Sequence, residues 1–273
     1  MRHSIRDLTP SRTLRTLCTL GTLLMVSGAQ VSAQSIASRV NSVREGDVRL
    51  SFPLRPGVCG DGRNVWYGER NNYSRSDGRS RRDVEYDIDC STGPGRLVVV
   101  RRDGETTELR FYVGGRWRES SSATDLGTIS ARSAVDYLIG LAETHDGKVG
   151  SEAIFPATLA DSVTIWPQLL RIARSDSRPR SIRQNATFWL GQLAEEPATR
   201  GLSELVGDDA QDREVRESAI FALSQRREEG VTALIKVVRT SRDPELRKKA
   251  LFWLAQSRDP RALDLIEELL TKR

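Results

Sequence analysis

Two histidines, three cysteines and one row of carboxylates are the residues in this sequence whose types could do chemistry. Hydrolysis by a Ser–His–Asp or Cys–His arrangement needs an imidazole beside a nucleophile. Of His3 and His145, only the second lies outside the N-terminal leader described below, and it sits in the turn sequence His145-Asp146-Gly147. A zinc site would want clustered Cys and His ligands. Cys18, Cys59 and Cys90 form no Cys-x-x-Cys pair, so no metal is expected. Asp83, Glu85, Asp87 and Asp89 share one face of an alternating stretch. Calcium sites draw converging oxygens from a loop, whereas this row is straight, so it reads as a solvated face balanced by Arg96, Arg101 and Arg102. The stretch "GDGRN" at 60–64 has neither the lysine nor the spacing of a phosphate loop. The arginine-rich segment 70–82 carries Tyr73 as its lone aromatic, too little for base stacking, and reads as a surface loop that would at most meet an anionic surface or polymer. These readings assign no catalytic residue, no metal and no cofactor, and the chain is expected not to be an enzyme. An envelope hydrolase or lyase built on the carboxylates of the strand region is the alternative kept.

The opening residues read as an export leader. Arg2, Arg6, Arg12 and Arg15 precede an apolar run at 17–26, and Val31-Ser32-Ala33 offers the small residues after which a signal peptide is cut. The run is shorter than the ~20 apolar residues that span a bilayer, and Leu17 before Cys18 is not the small residue a lipoprotein signal wants. A retained anchor is the competing reading. Cleavage after Ala33 removes four arginines and one aspartate from 42 Lys+Arg and 37 Asp+Glu, leaving 38 basic and 36 acidic groups. The mature balance is then +2 rather than +5, which gives no case for nucleic acid. Cys59 and Cys90 remain, and in an oxidising periplasmic or extracellular setting they are expected to form a disulfide. Closing a loop of about thirty residues would contribute on the order of 3 kcal/mol.

Two kinds of element position these residues. From 34 to 120 the dominant period is two. Val48, Leu50 and Phe52 alternate with Asp47, Arg49 and Ser51, and Val84, Tyr86, Ile88 and Cys90 alternate with the acid row, so both stretches read as half-buried strands. Asp103-Gly104 between two β-branched and aromatic runs is a hairpin signal. The serine-rich stretch 118–127 is expected to be a linker, within a connecting region 121–148 that also holds an amphipathic capping helix at 130–144.

Beyond it the period becomes helical and the text repeats. The frame apolar-x-x-x-Ala-x-Phe occurs at Ile182/Ala186/Phe188, Val215/Ala219/Phe221 and Leu246/Ala250/Phe252. An irregular earlier copy stands at Val149/Ala153/Phe155, with Gly150 and Pro156 as departures, and the copies lie 33, 33 and 31 residues apart. Such self-similarity signals a solenoid of helix pairs. These residues are expected in the repeat core, with Phe188-Trp189 and Phe252-Trp253 bracing neighbouring units and Gln192, Gln225 and Gln256 satisfying backbone groups at the turns. Second helices are expected at 165–174, 199–206, 231–239 and 262–270, and Asp243-Pro244 and Asp259-Pro260 suit helix starts.

On the apolar-Arg starts Ile182-Arg183, Val215-Arg216 and Leu246-Arg247, the alanine four on and the Asp243-Pro244 turn, segment 149–273 resembles the HEAT-repeat family, in its short bacterial phycobilisome-lyase type. The resemblance implies a ladder of acids and arginines between units, for which Asp212/Arg216 and Asp243/Arg247 are the candidates. The fold class expected is α+β in two domains: a signal peptide at 1–33, a small disulfide-linked antiparallel β domain at 34–120, the connecting region, and an all-α HEAT-like solenoid of about four helix pairs at 149–273. Overlaying the second helices aligns Arg171 with Lys236 and Arg174 with Arg239, with Glu267 breaking the pattern, a candidate basic groove for an acidic protein segment or an anionic ligand. Such a solenoid implies a scaffold for protein–protein interaction in the envelope, and the alternative to it besides an enzyme is a permanent structural subunit.

Overall fold

A computed structural model describes residues 35–62, 64–67, 90–120, 122–193, 195–226 and 228–271. The expected leader at 1–33, the loop at 70–82 and the acid row at 83–89 lie outside the described residues. After a single-turn helix α1 (Ile36–Asn41), four strands form one sheet: β1 (Gly46–Phe52), β4 (Gly95–Arg102), β5 (Glu105–Val113) and β6 (Thr124–Thr128), in the order β5-β4-β1-β6. Two short strands, β2 (Cys59–Gly60) and β3 (Val65–Trp66), pair separately. Alternation places Val48, Leu50 and Phe52 wholly inside, as the period of two requires. The β4–β5 hairpin turns at Asp103 and Gly104, with φ of 51° and 84°, the two positive values that suit the right-handed twist of the flanking strands.

The sheet departs from a purely antiparallel one. β1 is antiparallel to β4, but β6 joins its other edge in parallel, within the stretch expected to be linker. Strand β6 is polar and largely exposed, so it carries no period-two signature, and Gly127 takes φ of 73° where the pairing slips.

Ten helices follow. α2 (Ala131–Thr144) is capped by Ser130, whose hydroxyl accepts the Ser133 N–H at 3.1 Å. The first unit is broken into α3 (Gly147–Glu152) and α4 (Ile154–Thr158), followed by α5 (Trp166–Arg174). The remaining pairs are α6 (Arg180–Gln192) with α7 (Glu196–Gly207), α8 (Arg213–Ser224) with α9 (Glu228–Thr240), and α10 (Pro244–Ser257) with α11 (Pro260–Thr271). The α3–α4 break coincides with Gly150 and Pro156. A Cβ on Gly150 would come within 2.0 Å of the His145 carbonyl oxygen and 2.9 Å of Ile182, so no arginine fits there.

First helices pack on first helices (α6 on α8, α8 on α10) and second on second (α5 on α7, α7 on α9, α9 on α11). Ile182, Ala186, Val215, Ala219, Leu246 and Ala250 are fully buried in a core that runs unbroken from the inner face of the sheet through every pair. Each such Leu, Ile or Val contributes about 1.5–3 kcal/mol. The alanines let helices close in; a Cβ on Gly191 would already lie 2.7 Å from that of Ala222. The sheet is tied directly to the first unit. The Arg55 N–H donates to Leu159 O at 2.9 Å, the Asp161 N–H donates to Pro53 O at 3.1 Å, and Tyr137 of α2 is buried near Thr106 and Arg101.

Buried arginines join the repeats. Arg183 donates to Ala173 O at 3.1 Å, Gln211 at 2.6 Å and Asp212 at 2.8 Å. Arg216 donates to Val206 O at 2.9 Å and pairs with Asp209 at 2.8 Å. The carbonyl in each case is ten residues back, in the last turn of the preceding second helix, where acceptors lack helical donors. The acid–arginine ladder therefore runs between units rather than along one helix: Asp212 pairs with Arg183, and Asp243 pairs with Arg213 at 3.2 Å. Partial burial works against the Asp243 charge. The Glu245 N–H and Arg213 outweigh it and hold the carboxyl below its ordinary range. The glutamines do not have the expected role at the turns. Gln192, Gln225 and Gln256 are exposed, and buried Arg226 donates to the carbonyls of Gly191, Leu193 and Glu195 instead.

Candidate functional site

Three of the nine frame residues expected in the core stand at its edge. Phe188 and Phe221 are half-buried and Phe252 is 54% exposed. At 100° per residue, +4 and +8 from the first frame position lie close to its stripe, while +6 lies about 240° round. The geometry of the helix turns these rings to the rim of the first-helix layer.

There they join a continuous row. Phe52, inside the sheet, stacks on Phe111 of β5 at 6.0 Å between ring centroids. Phe111 meets Phe155 edge-on at 6.1 Å, and Phe155 stacks on Trp189 at 4.7 Å. Phe188 contacts Trp189 at 5.1 Å and Phe221 at 6.3 Å. Trp253 lies 5.1 Å from both Phe221 and Phe252. Such pairs each contribute about 0.5–1.5 kcal/mol beyond area burial. Bracing between units is thus real, but the row also reaches solvent.

The row opens into a depression of about 350 Å³ where β5 meets the first unit and α6, lined by Leu109, Phe111, Phe155, Pro156 and Trp189 with Ser151, Glu152 and Asn185 as its polar members. Tyr67 packs against its aromatic wall, 5.8 Å from Phe155 and 5.9 Å from Trp189. The Arg55 guanidinium lies 5.9 Å from the Tyr67 ring centroid. Burial pushes the Tyr67 phenol up against the pull of Arg55, and burial likewise lowers Arg55 against Tyr67 and Glu195. The Asn185 amide spends both hydrogens on Ser151, donating to its carbonyl at 2.8 Å and its hydroxyl at 2.9 Å. Glu152 Oε1 lies 3.5 Å from Lys148 Nζ, and Glu152 Oε2 is buried with no hydrogen-bond donor among the described residues.

The other residues singled out in the sequence fall elsewhere. Cys59 and Cys90 are bonded, with Cα atoms 5.3 Å apart, and the bond anchors the loop that leads to Tyr67. His145 is partly buried at the α2–α3 turn, its Nδ1 3.0 Å from Thr144 Oγ1 and its carbonyl accepting from Arg178. Arg171, Arg174 and Arg239 lie on the second-helix layer, and each is held by an acid of a neighbouring helix: Glu143 of α2 at 2.5 Å, Glu204 of α7 at 2.7 Å and Glu268 of α11 at 2.9 Å. Lys236 makes no ion pair among the described residues. The candidate basic groove is therefore largely neutralised in place by carboxylates of neighbouring helices. No cluster of three His, Cys, Asp or Glu residues with metal-site geometry occurs among the described residues. None of the described helices is long and apolar enough to cross a membrane. The site was signalled by the Phe of each Phe-Trp doublet, whose +6 position off the buried stripe is readable from helical geometry, whereas the Trp at +7 lies on it.

Stacked helix pairs with a shared core and an inter-unit arginine ladder define an α-solenoid of repeats. Residues 246–272, nearly the whole α10–α11 pair, match the family described as PBS lyase HEAT-like repeat, so that pair is of the HEAT-like repeat type. A search of curated proteins found no match.

Proposed function

We propose that the chain is an exported, non-catalytic scaffold of the cell envelope that holds another protein along the first-helix layer. The observation that carries this reading is the aromatic row, which continues from the sheet core to the 54% exposed Phe252 across successive units. Aromatic side chains supply large rigid contact area and dominate protein interfaces. Export is supported by the basic leader, the apolar run and the small residues ending at Ala33, and by the pairing of Cys59 with Cys90. HEAT-like repeats favour a scaffold over a catalyst, and the word lyase in the family description assigns no reaction to this chain. An acidic partner along Arg171, Arg174, Lys236 and Arg239 is the weaker placement, since three of these cations already have carboxylates.

Site-specific photo-crosslinking in intact cells tests the reading. A benzophenone side chain at Phe188, Phe221 or Phe252 is expected to give one discrete adduct that is absent when the probe stands at Lys236. Adducts from Lys236 alone, or from no position, would overturn it. N-terminal sequencing of the envelope-borne chain is expected to begin at Gln34.

A further inference from the structure

We propose that the depression between β5, the first repeat unit and α6 binds the basic side chain of a partner peptide, an arginine or a lysine, between the aromatic wall and Glu152. The inference rests on the scaffold reading and names the chemistry of the contact. Three observations carry it. The buried Glu152 Oε2 has no donor, although buried polar atoms nearly always find one. Its other oxygen has only Lys148 at 3.5 Å, whose side chain is 75% exposed and so loosely held. The Glu152 side chain is 39% exposed, so an incoming cation reaches the carboxylate through Oε1 while Oε2 remains without a donor.

The second observation is the sign of the polar lining. The donors of Asn185 are spent on Ser151, which leaves its amide oxygen and the Glu152 carboxylate as acceptors beside a single donor, the Ser151 hydroxyl, and no cationic residue among the described residues lines the depression. A ligand rich in N–H donors suits this set. An anion faces Glu152, and a sugar, which needs several donors from the protein as well as acceptors, meets only one. The third observation is the wall itself. Phe111, Phe155 and Trp189 line the same depression as the acid, and cations are drawn to aromatic rings. The same aromatic group already takes one guanidinium, that of Arg55 near Tyr67. The volume of about 350 Å³ lies at the small end of ligand pockets and leaves room for one long side chain.

Isothermal titration of the purified protein with the capped tripeptides Ac-Gly-Arg-Gly-amide, Ac-Gly-Lys-Gly-amide and Ac-Gly-citrulline-Gly-amide tests this. Citrulline keeps the shape of arginine and removes its charge. We expect the arginine or lysine peptide to bind at least about tenfold more tightly than the citrulline one, the difference a charged hydrogen bond supplies. Glu152→Gln, isosteric and partly exposed, is expected to erase that preference without loss of folding by circular dichroism, while Lys148→Gln leaves it intact or sharpens it. Equal affinity for all three peptides, or an arginine preference unchanged in Glu152→Gln, overturns the inference. The two readings fail separately. A crosslink at Phe252 without charge-selective peptide binding refutes the pocket chemistry alone, and charge-selective binding without any crosslink supports the pocket and refutes the scaffold.

Discussion

The sheet region and the repeat region solve the same problem, burying backbone acceptors and apolar surface, by opposite means. In the sheet each tie is made once. Arg101 is buried and donates to Val43 O and Thr106, and one disulfide closes one loop. In the repeats the same device recurs: Arg183 and Arg216 stand at the same frame position and reach a carbonyl ten residues back. Single-use ties concentrate stability at a few points, whereas repeated ties distribute it over nearest-neighbour interfaces.

Perturbations of the two regions sharpen that contrast. The largest effect is expected from Cys59→Ser with Cys90→Ser, which frees a loop of 31 residues and should cost roughly 3–4 kcal/mol in denaturant melts. A loss under about 1 kcal/mol would mean that the tie is redundant. Arg183→Ala leaves buried acceptors unpaired and should cost about 3 kcal/mol, with hydrogen exchange showing the loss centred on α6 and α8. Uniform loss across the sheet would contradict a nearest-neighbour stack.

Tyr137 probes the join between the regions. Burial pushes its phenol from the ordinary 10 to about 12, against the weaker pulls of Thr106 and Arg101. The folded state therefore holds its proton longer than the unfolded chain does. This contribution is intact below pH 10 and is lost as the pH rises from 10 through 12, about 2–3 kcal/mol in all. Tyr137→Phe should flatten the stability curve over that window. Smaller still, neutralising Arg171, Arg174 and Arg239 should cost about 0.5 kcal/mol each, as exposed pairs do. Phe252→Ala should cost about 0.5 kcal/mol, the low end for an aromatic pair at an exposed edge, while abolishing the crosslink.

What could be read from the sequence follows the same division. The frame and its spacing exposed the helix pairs because one packing problem is restated in one vocabulary. The hairpin at Asp103-Gly104 and the strand ending at Phe52 were legible because turn chemistry and a period of two are local signals. Strand β6 was not, since a polar edge strand takes its conformation from pairing with β1. The contact partners of Phe188 and Arg171 were hidden for another reason. Each depends on residues about thirty positions away, Phe221 and Glu143, brought alongside by stacking. Glu152 gave no signal at all, because an unpaired oxygen is a property of surroundings.

The ten-residue reach of Arg183 and Arg216 has an evolutionary corollary. It spans turns of five residues, 175–179 and 208–212, whereas the turn at 241–243 has three and Arg247 donates instead to the nearby carbonyls of Ser241 and Arg242. The shortened interval of 31 residues thus falls where the clamp changes partner. Natural length variants should cluster in that last turn, with the two clamped turns conserving their span.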